Sequence, residues 1–273
     1  MRHSAQIALR EIRMGLRNPW SYSFMALFSL FMLSLLLINA QGYAEGYSGI
    51  TGTMMNLILY LLPLMALMLG SFSITGEKEE GNGELLSTYP LRTSAFLAGK
   101  YAGLIIVMIS IVSIGFGLAG SISFLTGQGF SLQAYTLLLA LSVSLVLMYT
   151  AIALLIGTLA SNRWQALTVS VGIWFFTVIA WPALLIAALG MMPYMWIKPA
   201  VSALTVLNPA ELSRLFIVVK LGGGAVLGPD YYEWVKWVRK PSGTLAFFLA
   251  VSLWIGMLTG MSIGLWERRR KRV

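Results

Sequence analysis

The sequence contains no cysteine and a single histidine, His3. Without thiols there is no disulfide framework, no iron–sulfur cluster and no thiol chemistry, and one imidazole cannot assemble a zinc site or a histidine-based triad. A GxxxxGK[ST] stretch is also missing, so the chain carries no phosphate loop of its own. Charge is scarce: Asp, Glu, Lys and Arg make up 11% of the 273 residues, against about a quarter in an ordinary soluble domain. Most routes to enzymatic chemistry are closed by these absences.

What fills the space is apolar. Hydrophobic residues account for 58% of the chain and mean hydropathy is +0.80. Six stretches, at 20–39, 53–75, 101–124, 134–159, 167–189 and 243–266, are each long enough to cross a hydrocarbon core of about 30 Å at roughly 1.5 Å per residue. Only helices satisfy their own backbone groups over such runs in lipid. The expected fold class is therefore all-α, a polytopic membrane protein with six transmembrane helices in one domain over 20–266. Pro63 and Pro182 fall inside the second and fifth spans, where kinks are expected. The first span is followed by Ile38-Asn39-Ala40-Gln41, which lacks a clean small-x-small cleavage site, so it reads as a retained anchor.

The basic residues set the orientation. Of 19 Lys and Arg, 13 fall before the first span, between spans two and three, between four and five, and after the sixth. The other six, Lys198, Arg214, Lys220, Lys236, Arg239 and Lys240, share one long loop. Long loops weigh less in this count, so both termini are expected in the cytoplasm. The net charge of +9 is then a topology signal. Nucleic acid is not an expected partner, since no domain exists to hold a basic face.

Four segments lie outside the spans. Residues 1–19 form an amphipathic stretch in which Ala5, Leu9, Ile12 and Leu16 share one helical face and Arg10, Arg13 and Arg17 another, which suits a cytoplasmic helix lying on anionic lipid; a topology-setting flank is the plainer alternative. Residues 267–273 are a basic cytoplasmic tail. Between them, the loop Gly76–Lys100 holds four of the ten acids, Glu77, Glu79, Glu80 and Glu84. Gly81 and Gly83 break its start, and Pro90 stops a short turn that presents Leu85 and Leu86. Paired leucines among acids suit a short docking helix, with a solvated loop as the alternative.

The long outer loop, 190–242, carries two helix signatures. Asn208 reads as an N-cap, Pro209 as the first helical position, Glu211 as the partner in a capping box and Gly222 as the stop. Leu212, Leu215, Phe216 and Val219 fall at i, i+3, i+4 and i+7, one continuous apolar face. After Pro229, Tyr231, Trp234, Val235 and Val238 repeat that spacing opposite Lys236, Arg239 and Lys240, and aromatic–basic helices of this kind favour the membrane boundary. Either helix can lie on lipid or carry a partner.

Within the spans, Ser252, Gly256, Gly260 and Gly264 recur every four residues, a pattern that lets another helix of the same chain or of a second copy approach closely. Fifteen methionines, with Met191, Met192 and Met195 clustered and Met65 and Met68 in span two, raise the idea of a soft metal. With no cysteine or partnering histidine they read instead as gap-fillers. No charged residue lies centrally in any marked span, which argues against an ion-coupled pump and suits a transporter energised from elsewhere.

At Gly76–Lys100 the chain resembles the ABC-2 type permease family: GE-x-E-x-G, a leucine pair, Tyr-Pro, an arginine and Gly-Lys ahead of a span stand here in that order. Within the family, permeases of nitrous-oxide-reductase maturation transporters are the most similar. They share Leu-Leu-x-Thr-Tyr-Pro at Leu85–Pro90, Leu-Pro-Leu in span two, and Leu207-Asn208-Pro209 followed by Arg214-Leu215; the helix Tyr231–Lys240 departs from the pattern. The resemblance implies a homodimer with a type V exporter-like transmembrane domain in the bacterial cytoplasmic membrane. Each copy would be coupled to a separate ATPase subunit that holds ATP and Mg, while this chain binds no cofactor or metal and is not itself an enzyme. It further implies that Glu77, Glu80, Glu84, Leu85, Leu86, Tyr89, Pro90 and Arg92 serve ATPase coupling. On the outer side Asn208, Leu212, Leu215, Phe216 and Val219 would meet an extracytoplasmic β-helical partner. The implied cargo is a sulfur species or copper for a copper–sulfide centre. Two rivals stand beside this reading: an ABC-2 efflux permease for a peptide, antibiotic or sodium, and a lipid-modifying membrane enzyme.

Overall fold

The computed structural model describes residues 2–40, 50–81, 93–125, 132–228 and 231–270. Among them the chain is helical, with no strand: α1 (Arg2–Leu16), α2 (Pro19–Ala40), α3 (Ile50–Glu79), α4 (Thr93–Leu125), α5 (Leu132–Leu159), α6 (Arg163–Trp174), a π-helical turn (Phe175–Ala180), α7 (Trp181–Gly190), α8 (Tyr194–Leu207), α9 (Pro209–Lys220), a short 3-10 turn (Gly223–Leu227), α10 (Tyr232–Arg239) and α11 (Pro241–Arg270). The helices α3, α4, α5, the α6–α7 pair and α11 are long and apolar enough to cross a membrane; α8 and α9 are too when taken together, as a pair bent by 113°. The 22-residue α2 would extend roughly 33 Å.

The helices overrun the apolar stretches that announce them. α3 continues to Glu79 and α4 begins at Thr93, because a helix ends where its backbone loses partners and not where its side chains turn polar. Lys100 is thereby drawn into α4, fully buried. Lys100 stands just before the marked stretch 101–124, so the marked spans stay free of central charge while one charge is buried at this end of the bundle.

α5 is the central element: 72% of the residues in its most apolar stretch are buried, against 11% in that of the α6–α7 span and 22% in that of α11. Its buried face, from Leu138 through Tyr149 to Ile156, packs with Met65 and Leu67 of α3 and Val107 and Ile111 of α4 in one core. α1 lies directly on α4. A Cβ at Gly103 would sit 2.9 Å from the Ala8 carbonyl oxygen and 2.6 Å from Glu11 Cβ, and one at Gly99 would sit 2.7 Å from the Ser4 carbonyl oxygen. Two glycines a helical turn apart make that approach possible. The buried face of α1 therefore includes Glu11, with Ile7 against the second apolar cluster. Leu9 and Leu16, on the face picked out by periodicity, are 61% and 42% exposed.

The fifth span breaks ahead of Pro182. The amide of Trp181 donates to the carbonyl of Phe176, five residues back, and this widening leaves room for a ring that would clash in a regular helix. Both chain ends meet at one end of the bundle: Trp266 near the end of α11 packs against Phe96 of α4, ring centroids 5.5 Å apart, and lies under Lys78 of α3. The small-residue stripe of α11 faces outward; a Cβ at Gly256, Gly260 or Gly264 would meet nothing within 4 Å.

Candidate functional site

The last turn of α3 reads Gly76-Glu77-Lys78-Glu79, and Glu80 follows it. Successive helical residues point about 100° apart, so consecutive side chains here reach different neighbours. Glu77 Oε1 lies 3.2 Å from Lys100 Nζ on α4 and 3.3 Å from Arg10 Nη1 on α1. Lys78 Nζ donates to the carbonyls of Gly157, Thr158 and Ala160 at 2.7, 2.9 and 2.7 Å. These are the open carbonyls at the end of α5, where a cation also complements the helix dipole. Glu79 accepts from the Arg163 backbone amide at 2.7 Å and pairs with its guanidinium at 3.2 Å, an acid at the start of α6 where the dipole favours it. Glu80 lies 3.7 Å from the same guanidinium.

The innermost part is largely buried. Lys100 Nζ donates to Glu11 Oε2 at 2.9 Å, to Ser73 Oγ at 2.6 Å and to the Ser73 carbonyl at 3.1 Å, while Ser73 Oγ donates to the other Glu11 oxygen. A buried charge persists only when paired and hydrogen-bonded, and Lys100 has two carboxylates for it. Three consecutive residues of α3 thus tie α1, α4, α5 and α6 together at the point where the chain enters 82–92. Alongside lies a cavity of about 670 Å³ between α1, the start of α2 and α6, with Trp20 and Trp164 at its wall beside Arg10, Glu77, Glu79 and Arg163. Two buried polar atoms without a partner, Glu77 Oε2 and Ser21 Oγ, belong to residues of this wall.

Of the coupling residues expected from the sequence, Glu77 is buried in this hub and Glu80 sits exposed at its rim; Glu84, Leu85, Leu86, Tyr89, Pro90 and Arg92 lie outside the described residues. Sequence reading does not single out Glu11 or Ser73, counts Lys78 as a topology marker, and has Lys100 as a topology marker and as the Gly-Lys of the family resemblance. A signal was present, since no charged residue follows Lys100 until Arg163.

At the other end, Asn208 caps α9 as expected, its Oδ1 accepting from the amides of Ala210 (2.9 Å) and Glu211 (3.4 Å), and Gly222 at φ +86° follows the helix end. Glu211 does not close a capping box; its carboxylate binds Arg214 at 2.6 and 3.0 Å. The stripe Leu212, Leu215, Phe216 and Val219 is buried in the chain's own core, and Phe216 stacks on Phe247 of α11 with centroids 4.0 Å apart. α9 folds back into the bundle, so these side chains are not offered to a partner in this arrangement. The surface nearby consists instead of Met195, Trp196 and Leu207 of α8, and Tyr232 and Trp237 of α10. Met65 and Met68 are core residues, whereas Met191 and Met195 are exposed.

Residues 5–268 match the family model described as ABC-2 family transporter protein. The chain belongs to the ABC-2 transporter family. Two relatives align along nearly the full length of both chains. A probable ABC transporter permease protein NosY of Pseudomonas aeruginosa is 30% identical over 276 residues, 96% of this chain and 97% of the relative. A protein of the same description from Stutzerimonas stutzeri is 27% identical over 271 residues, with the same coverage. The family is one of multi-pass membrane permeases, generally transport subunits rather than catalytic ones.

Proposed function

We propose that the chain is the membrane-spanning subunit of an ATP-driven transporter, six-spanning with both termini in the cytoplasm. Its charged hub would receive the motion of a separate ATPase subunit and pass it to the helices. The observation that supports this most is the last turn of α3. A displacement of segment 82–92 pulls on Glu77, Lys78 and Glu79 at once, and through them on α1, α4, α5 and α6. ATP and Mg belong to the ATPase. The chain works as a homodimer in the bacterial cytoplasmic membrane; the α6–α7 span, in which few residues are buried by its own chain, leaves surface for a second copy or lipid. The cavity beside the hub is the inner mouth of the path.

The likeness to NosY permeases favours transport for maturation of the copper–sulfide centre of nitrous oxide reductase, with a sulfur species or copper as cargo and an extracytoplasmic β-helical protein as partner. That partner would meet the exposed faces of α8 and α10, since the α9 stripe is occupied. The test is co-expression of the tagged chain with an ABC ATPase and a β-helical protein from the same source. Co-purification of both, with nitrous oxide reductase left without its cluster when the chain is deleted, is the expected result. An ATPase alone, with the reductase unaffected by the deletion, would instead favour an efflux permease for a peptide, antibiotic or sodium. No ATPase at all would remove the transporter reading.

A further inference from the structure

The break in the fifth span leaves one carbonyl to be provided for. In the register of the π-helical turn, the amide of Trp181 reaches the carbonyl of Phe176; the next amide, at 182, would reach that of Thr177. Pro182 has no amide hydrogen. The Thr177 carbonyl is met by Asn208, whose Nδ2 donates to it at 2.7 Å. Asn208 is 1% exposed and stands at the elbow of the α8–α9 pair. Its two ends do different work, since Oδ1 is already committed to the amides of Ala210 and Glu211 at the start of α9. The same turn is held from the opposite side, because Tyr149 OH of α5 donates to Thr177 Oγ1 at 2.8 Å.

We propose that Asn208 is a positioning residue for transport: it latches the elbow of the α8–α9 pair to the break in span five, so that this pair and α7 move as one body. This rests on the transporter reading above. Capping alone is served equally well by serine or aspartate; the amide nitrogen is what serves the latch. A cap residue chosen only for the helix would not need its donor, and a carbonyl orphaned by proline would not need a distant residue if water reached it. Both needs meet in one side chain.

The test uses the full chain with its ATPase in lipid nanodiscs. With no native cysteine, spin labels at Val206→Cys on α8 and Ile186→Cys on α7, both exposed, report the distance across the latch. In the otherwise unchanged protein that distance should stay constant between nucleotide-free and ATP-trapped states; a shift of the whole distribution between the two states would overturn the latch without any further variant. Asn208→Ser keeps the cap and removes the donor. It should broaden the distribution and lower coupled ATP turnover about tenfold, the scale of one lost buried hydrogen bond. Adding Pro182→Ala returns an amide to position 182 and so supplies the Thr177 carbonyl from within the span. If Asn208 is a latch, the double variant regains thermal stability but keeps the broad distribution and low turnover. If Asn208 only satisfies a carbonyl, all three recover together, and the proposal is overturned. Failure of the unchanged complex to couple ATP turnover to the permease would sink the transporter reading instead, and is seen before any variant is made.

Discussion

A single lysine carries much of the order at the hub. Lys100 is fully buried between Glu11 and Glu77, and removing one partner of a buried ion pair costs about 3–5 kcal/mol because the remaining charge is stranded. Lys100→Met should therefore lower the melting temperature of the detergent-solubilised protein sharply. The triple variant with Glu11→Gln and Glu77→Gln should recover a good part of the loss, since uncharged replacements of buried pairs are often neutral. A Lys100→Met protein that melts with the unchanged one would show that the network holds nothing. That role was hard to read from the chain alone: counting charges by side of the membrane assigns each residue an address, not a partner. Asn208 was easier. Asn-Pro followed by an acid two residues on is a local signature, and the cap is where the spacing put it. Glu211 belonged to the same signature but found Arg214 one turn ahead.

At the scale of elements, an apolar stripe tells which face of a helix is covered, but not by what. Leu212, Leu215, Phe216 and Val219 are a face in the sequence and a face in the structure; the cover is the bundle itself, because α8 turns the chain back before α9 begins. α8 escapes the sequence reading through its Pro199, which argues against a helix there. For α1, two candidate faces exist. Small residues decide between them: Gly99 and Gly103 admit α1 at Ser4 and Ala8, leaving Leu9 and Leu16 outward. Gly103→Val should lift α1 from α4. The cross-link that reports this is available in a cysteine-free chain: a Cβ at Gly15 would lie 3.4 Å from Val107 Cβ, close to disulfide geometry. Oxidation should join Gly15→Cys to Val107→Cys in high yield, and in low yield once Gly103→Val is added. Equal yields would mean that α1 is held by its charges alone.

For the whole molecule, the apolar runs made the helical membrane fold plain, whereas the packing order depended on long-range contacts that no local pattern encodes. Which side each end faces is a further step. Trp266 against Phe96 and Lys78, with α1 on α4, brings α1 and the end of α11 to one end of the bundle, which fits the even number of crossings proposed above. The sequence count, 13 of 19 Lys and Arg in the segments expected on the side of the termini, is the reason for proposing that this side is cytoplasmic. The proposed coupling needs the same side, because an ATPase fed by cytoplasmic ATP would have to reach 82–92. Single cysteines at Arg13, Ser161 and Lys236, all exposed, separate the cases with a membrane-impermeant thiol reagent. Lys236→Cys should react in intact spheroplasts, and Arg13→Cys and Ser161→Cys only after lysis. Reaction of Arg13→Cys in intact cells with protection of Lys236→Cys would invert the molecule and place the hub beyond the reach of any ATPase. If Arg13→Cys and Lys236→Cys behaved alike, the number of crossings could not be six with α1 and the end of α11 on one side, and the packing of Trp266 on Phe96 would not describe the molecule in the membrane.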